Sequence, residues 1–138
     1  MPRYLADKSA LTRRETRPEV REIVEPLLLA GQIATCGIVD LELLFSARSP
    51  AVYAELASVL RALPRVPVSE AVVDRALEVQ ALLAEGSQHR AIPLPDLLVA
   101  ACAESAGLIV LHDDADFERI AAITAQPVRW VLPRGSVS

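Results

Sequence analysis

Seven carboxylates in four short stretches are the residues of this chain best placed to do chemistry: Asp7, then Asp40 and Glu42, then Asp96, then Asp113, Asp114 and Asp116. Asp7 ends the apolar run YLA, and the three later aspartates follow the apolar run LIVLH. Asp96 opens a segment, DLLVAACAES, that is apolar nearly all round. Such a helix is buried, which puts a carboxylate at the mouth of the core. Taken alone, Asp96 needs no more than a favourable place at a helix N-terminus. Capping explains one of Asp113 and Asp114, but not both together with Asp116. Glu42 lies beside the helical stripe Ile38, Leu41, Phe45, where a carboxylate is half-buried. Asp40 has a comparable place next to Leu43 and Leu44, and periodicity does not choose between the two. Converging carboxylates repel one another unless they share a proton or a divalent cation. Oxygen donors with no histidine or thiolate companion suit Mg²⁺ or Mn²⁺. The chemistry this points to is metal-assisted displacement at phosphorus.

The elements that must position these acids alternate. Strands are expected at RYLA (3–6), IATC (33–36), RVPV (65–68), LIVLH (108–112) and VRWVL (128–132). Pro67 confines the third to an edge or a strand end. Helices are expected from Pro18 to about Gly31, from about Ile38 to Arg48, after Ser49-Pro50 as far as Pro64, from a Ser69 cap to near Gly86, from Pro95 to Gly107, and from Asp113 to about Thr124. No element is assigned to residues 8–16. Short apolar strands alternating with helices imply an α/β domain with a mainly parallel sheet of about 4–5 strands. Ligands of such sheets bind at the carboxyl ends of the strands, where these acids fall.

At 138 residues the chain is about one domain, taken as 1–138, long enough for a core without staples. An apolar content of 52% argues against disorder. The longest uncharged stretch, Pro26 to Val39, is too short to span a bilayer. MPRYLADK has no apolar signal region, and Cys36 and Cys102 each sit in an apolar run as small buried residues, so a cytoplasmic location is expected. A net charge of −4 argues against a general nucleic-acid-binding surface. Its distribution matters more: residues 1–21 balance to +3 and the remainder to −7. A solvated helix face is the simpler account of that basic edge; an anionic substrate held near a metal is the other.

Four motifs in order, Y-L-A-D-K-S, V-D-L-E-L, L-P-D-L-L-V-A-A-C-A and L-H-D-D-A-D-F-E-R-I, make the chain resemble a PIN domain, and more narrowly the VapC ribonuclease toxins of bacterial toxin–antitoxin pairs. The resemblance covers nearly the whole chain. It implies a three-layer α/β/α fold and a Mg²⁺- or Mn²⁺-dependent endoribonuclease leaving 5′-phosphate and 3′-hydroxyl ends. By position, Asp7, Glu42, Asp96 and Asp114 match the family's acidic quartet, Asp116 a further acid, and Ser9 the small polar residue that orients the first aspartate. Asp40 then becomes a surface or helix-face charge and Asp113 a neighbour of the site. An RNA substrate, a cognate antitoxin protein, a homodimer and no membrane are the partners implied. Lys8, Val39 and His112 depart from the family's common residues. Lys8, Arg13, Arg14 and Arg17 are candidates for RNA contact.

Two other classes compete. A receiver-type phosphoacceptor also has acids at strand ends and a lysine, but its lysine falls near the last strand; here Lys8 is the sole lysine. A catalytically inactive protein-binding module would not need all four acids. Lys8 itself, read in extended backbone, need not face Asp7's side. An ion pair with an acid at the rim is expected of it, with contact to an RNA phosphate or relief of acid repulsion as the alternative.

Overall fold

The computed structural model describes residues 1–132. Five strands form one sheet, β1 (Tyr4–Ala6), β2 (Ile33–Cys36), β3 (Arg65–Val66), β4 (Ile109–His112) and β5 (Val128–Trp130), in the order β3-β2-β1-β4-β5. Every pairing is parallel, with Leu5 opposite Ala34 on one side and Val110 on the other. Seven helices enclose it: α1 (Lys8–Thr16), α2 (Pro18–Leu29), α3 (Gly37–Phe45), α4 (Pro50–Arg61), α5 (Glu70–Glu85), α6 (Leu94–Ala106) and α7 (Asp116–Thr124). The result is three layers, α/β/α, as a parallel sheet requires when both its faces are apolar.

Local chemistry explains most boundaries. Ser49 and Ser69 cap α4 and α5, their hydroxyls accepting from the N–H groups of Val52 (3.1 Å) and Val72 (3.2 Å). Pro18 and Pro95 lie in first turns, where a missing N–H costs nothing. Gly107 ends α6 in the left-handed region, φ 68°. β3 is a two-residue edge strand stopped by Pro67.

The core runs through β1, β2 and β4 and into α6, where Leu97 and Val99 to Ala103 are all buried. β1 is central, and the chain leaves it first toward β2 and β3, later toward β4 and β5. The order therefore reverses between β1 and β4. A crevice opens at the carboxyl ends of two such strands because their connections depart to opposite sides. Asp7 follows β1, and Asp113 and Asp114 follow β4.

One element was not expected. Residues 8–16 form α1, nine residues of which only Ala10 and Leu11 are buried. Asp7 caps it, with a carboxylate oxygen accepting from the Ser9 N–H at 3.0 Å. The helix after β4 also starts later than Asp113, at Asp116.

Candidate metal centre

Three acids meet in the crevice. One oxygen each from Asp96, Asp114 and Asp116 lies within 4.8 Å of the other two. α6 delivers Asp96 from its first turn, already 4% exposed. The β4–α7 loop delivers the other two. Asp114 Oδ1 accepts from the Asp116 N–H at 2.9 Å, a tight turn that sets both carboxylates on one side. Asp7, at 1% exposure, stands behind them. Its Oδ2 is used by the α1 cap, while Oδ1 is buried without a hydrogen-bond partner.

Ser9 ties this corner together in two ways. Its N–H donates to Asp7, and its hydroxyl accepts from the Asp113 N–H at 2.9 Å. The serine thus holds the end of β4 against the start of α1 and orients Asp7 through its backbone, not its hydroxyl. Asp113 turns away to Arg13, 3.2 Å from Nε.

Glu42 arrives from α3 beside Leu41 and Phe45 and half-buried, as expected, but that stripe does not face the core. Leu41 and Phe45 are 66% and 91% exposed, whereas Val39, Asp40 and Leu43 are buried. Glu42 is sheltered instead by Lys8, whose Nζ lies 3.0 Å from Glu42 Oε2; Oε1 is buried and unpartnered. Lys8 is the first residue of a helix, so the extended-backbone expectation for it fails. Its ion-pair partner is an acid of the quartet itself. The surface role expected of Asp40 also fails. Asp40 is buried, accepts from the Thr35 hydroxyl at 2.6 Å and pairs with Arg65 at 2.6 Å. It fastens β3 to α3 and takes no part in the acid cluster.

The electrostatics follow from crowding. Burial pushes Asp96 up to about 8, and the charges of Asp114 and Asp7 push the same way. Burial also raises Asp116, with Asp114 adding to it. Below the acids lies His112, fully buried against Phe117 and Trp130. Both its nitrogens are engaged, Nδ1 by the Asp114 N–H and Nε2 by Glu118. The open donors are therefore all carboxylate oxygens, a set that fits a hard divalent cation.

Of the basic candidates, Arg14 pairs with Glu25 at 2.6 Å and Arg17 with Glu19 at 3.9 Å. Arg13 reaches the site's margin through Asp113. Arg119, 3.3 Å from Asp116, borders the cluster and was not among the expected residues. Its spacing three after Asp116 on one helix was the available signal.

A parallel α/β/α domain with a carboxylate cluster at the reversal of its strand order defines a class of α/β proteins whose sheet edge is compatible with a divalent cation. This chain belongs to the PIN-domain family, in its VapC group: residues 4–123 match the PIN domain. Ribonuclease VapC21 of Mycobacterium tuberculosis is 48% identical over 135 residues, 97% of each chain. Ribonuclease VapC51 of the same organism is 45% identical over 135 residues, 98% of this chain and 97% of its own. The fold matches the DNA-bound VapBC of Salmonella typhimurium, TM-score 0.75 at 22% identity, covering 96% of this chain and 100% of that one. It also matches VapBC-1 of nontypeable Haemophilus influenzae, TM-score 0.74 at 16% identity, covering 93% and 97%. Among the described residues no helix is long and apolar enough to cross a membrane.

Proposed function

We propose that this chain is a Mg²⁺- or Mn²⁺-dependent endoribonuclease and the toxin of a toxin–antitoxin pair. One observation carries the proposal: Asp96 Oδ2, within a three-acid group, and Asp7 Oδ1 nearby are buried without hydrogen-bond partners. Oxygens so placed are costly unless a positive group meets them. Asp96, Asp114 and Asp116 would hold the ion, with Asp7 adjoining. When bound, it supplies an acidified water and neutralises charge on a phosphodiester.

The chain's own residues do the positioning. Ser9 fixes Asp7 so that Oδ1 faces away from the cap. The Asp114–Asp116 turn holds two carboxylates over the buried His112. Lys8, Arg13 and Arg119 place positive charge around the acids, where an anionic strand would approach, and Arg14 and Arg17 extend that basic edge. The names of the relatives, ribonucleases at 45–48% identity, support RNA as the substrate. Two further proteins of this fold, in a toxin–antitoxin complex from Klebsiella pneumoniae and in VapBC-5 of Mycobacterium tuberculosis, support an antitoxin partner. Exposed Leu41 and Phe45, lining a shallow pocket with Lys8 and Glu42, offer apolar surface beside the site for such a contact or for a homodimer. Two buried free cysteines suit a reducing, cytoplasmic setting.

The test is RNA cleavage by the purified chain with Mg²⁺ or Mn²⁺, followed by sequencing of the cut ends. Asp7→Asn, Asp96→Asn and Asp114→Asn should each abolish cleavage with circular dichroism unchanged. Wild-type cleavage by any of them, or full activity in excess EDTA, would sink the proposal.

A further inference from the structure

Lys8 stands where local rules would not put it. It is the first residue of α1, whose first turn holds no acid. A helix N-terminus carries partial positive charge, so a cation there is unfavourable by itself. The other thirteen basic residues of the chain are all arginine. What holds Lys8 is Glu42, 3.0 Å away and 17% exposed at its side chain.

The acids therefore fall into two sets. Asp96, Asp114 and Asp116 present oxygens to one another with no cation among them, and Arg119 only at the outer side of Asp116. Glu42 lies outside that group; its Oε2 has the Lys8 ammonium as counter-charge, while Oε1 is buried and unpartnered. Asp7 Oδ1 is likewise buried and unpartnered. A compact ammonium suits a position of this kind better than a guanidinium does. It is a point charge with rotatable donors, while the planar fork of arginine needs paired coplanar acceptors. A second divalent ion on Glu42 would have to displace the ammonium or lie against it, with like charges at contact distance.

We infer that the Lys8 ammonium is a built-in cation filling the Glu42 half of the site, so that the chain takes a single divalent ion, at Asp96, Asp114 and Asp116, where an uncommitted Glu42 would admit a second. The inference rests on the acid cluster being a divalent-cation site.

Mn²⁺ titration of the full chain, by calorimetry and by counting free Mn²⁺ with electron paramagnetic resonance, tests it. Wild type should bind one ion per chain and Lys8→Met two, with Lys8→Arg remaining at one. Adding Glu42→Gln to Lys8→Met should return the count to one. Two ions on wild type, or one on a folded Lys8→Met, overturns the inference while leaving the metal site standing. No ion on wild type overturns the site itself. A second measurement needs no variant. Lys8 is the sole lysine, so its ¹⁵Nζ resonance stands alone in lysine-labelled protein. Saturating Mg²⁺ should leave that ammonium slow to exchange and bound to Glu42. Its shift to the position of a free lysine would show displacement and overturn the inference.

Discussion

The imidazole of His112 accepts a hydrogen bond on Nδ1 from the backbone N–H of Asp114, 3.2 Å away. An acceptor there puts the proton of the neutral ring on Nε2, which meets Glu118 at 3.2 Å. Burial favours that neutral form, lowering the ring's pKa against the opposing pull of Glu118. The histidine is thus a buried peg on which the Asp114 loop hangs. His112→Ala should cost roughly 3 kcal/mol in urea unfolding, through the cavity and the lost bonds. His112→Asn offers an amide oxygen near the place of Nδ1. It should keep a Mn²⁺ affinity closer to wild type than His112→Ala does. Equal losses of affinity in the two variants would show that this bond does not shape the loop.

Asp96 makes the metal-free fold sensitive to pH. It is buried among Asp7, Asp114 and Asp116, with Lys8 as the cation acting on it. Its folded value is about 8 against an ordinary 3.8. Between those values the folded chain keeps a proton that the unfolded chain has released. Stability is then highest at the acid end of that window and falls as pH rises toward 8. The midpoint of thermal unfolding in EDTA should fall from pH 5 to pH 8 relative to that of Asp96→Asn, in which His112 acts alike. Asp96→Asn should flatten that slope and stabilise the metal-free protein at pH 8 by roughly 1–3 kcal/mol. Mn²⁺ should flatten it too, since a cation then takes the proton's place. The buried neutral His112 adds stability as pH rises in both proteins, so equal pH slopes for wild type and Asp96→Asn would mean that Asp96 ionises like an ordinary carboxyl.

Asp40 and Glu42 are two residues apart, yet they should fail differently. Asp40→Ala strips the Thr35 hydroxyl and the Arg65 guanidinium of their shared acceptor. Arg65 is partly exposed, which discounts the ion pair, so the expected loss is about 1–3 kcal/mol. The Mn²⁺ count of the folded variant should stay at that of wild type. A changed count with unchanged stability would move Asp40 into the cation site.

Where a segment carried its own signal, its place could be read from the sequence. β2 and β4 are continuous buried runs, and Ser69, Pro95 and Gly107 mark helix ends by their own chemistry. α1 carried no such signal. KSALTRRET buries only Ala10 and Leu11, so no apolar stripe appears, and its start is set by the Asp7 cap. The side of α3 was misjudged because Leu41 and Phe45 are exposed, which inverts the usual inference from hydrophobic spacing. The contact that closes the corner, Ser9 with Asp113, joins residues 104 apart through the pairing of β1 with β4. No local pattern encodes such a pair. The acids themselves were legible because burying a carboxylate at a strand or helix end needs a reason in any fold.

The basic groups divide by what already holds them. Arg14 is committed to Glu25 at 2.6 Å, and Arg21 to the carbonyls of Arg14 and Glu15. Arg13 and Arg119 instead lean on acids of the site, Asp113 and Asp116, at 3.2 and 3.3 Å, with 43% and 55% of their side-chain surface exposed. Asp116 is one of the acids whose charge a bound divalent ion would offset, loosening Arg119 toward a phosphate, while Arg13 stands at the margin on Asp113. In an Asp7→Asn background that does not cut, single-stranded RNA binding should weaken with salt, log Kd rising linearly with log salt. Arg13→Ala and Arg119→Ala should each flatten that slope by about 0.7, one phosphate contact on a single strand. Arg14→Ala should change it by less, because its partner on α2 keeps it from the strand. Fluorescence anisotropy across a series of NaCl concentrations reads all three. An unchanged slope for Arg13→Ala and Arg119→Ala would remove both from the RNA path. A full step for Arg14→Ala would show that pairing with Glu25 does not withhold it.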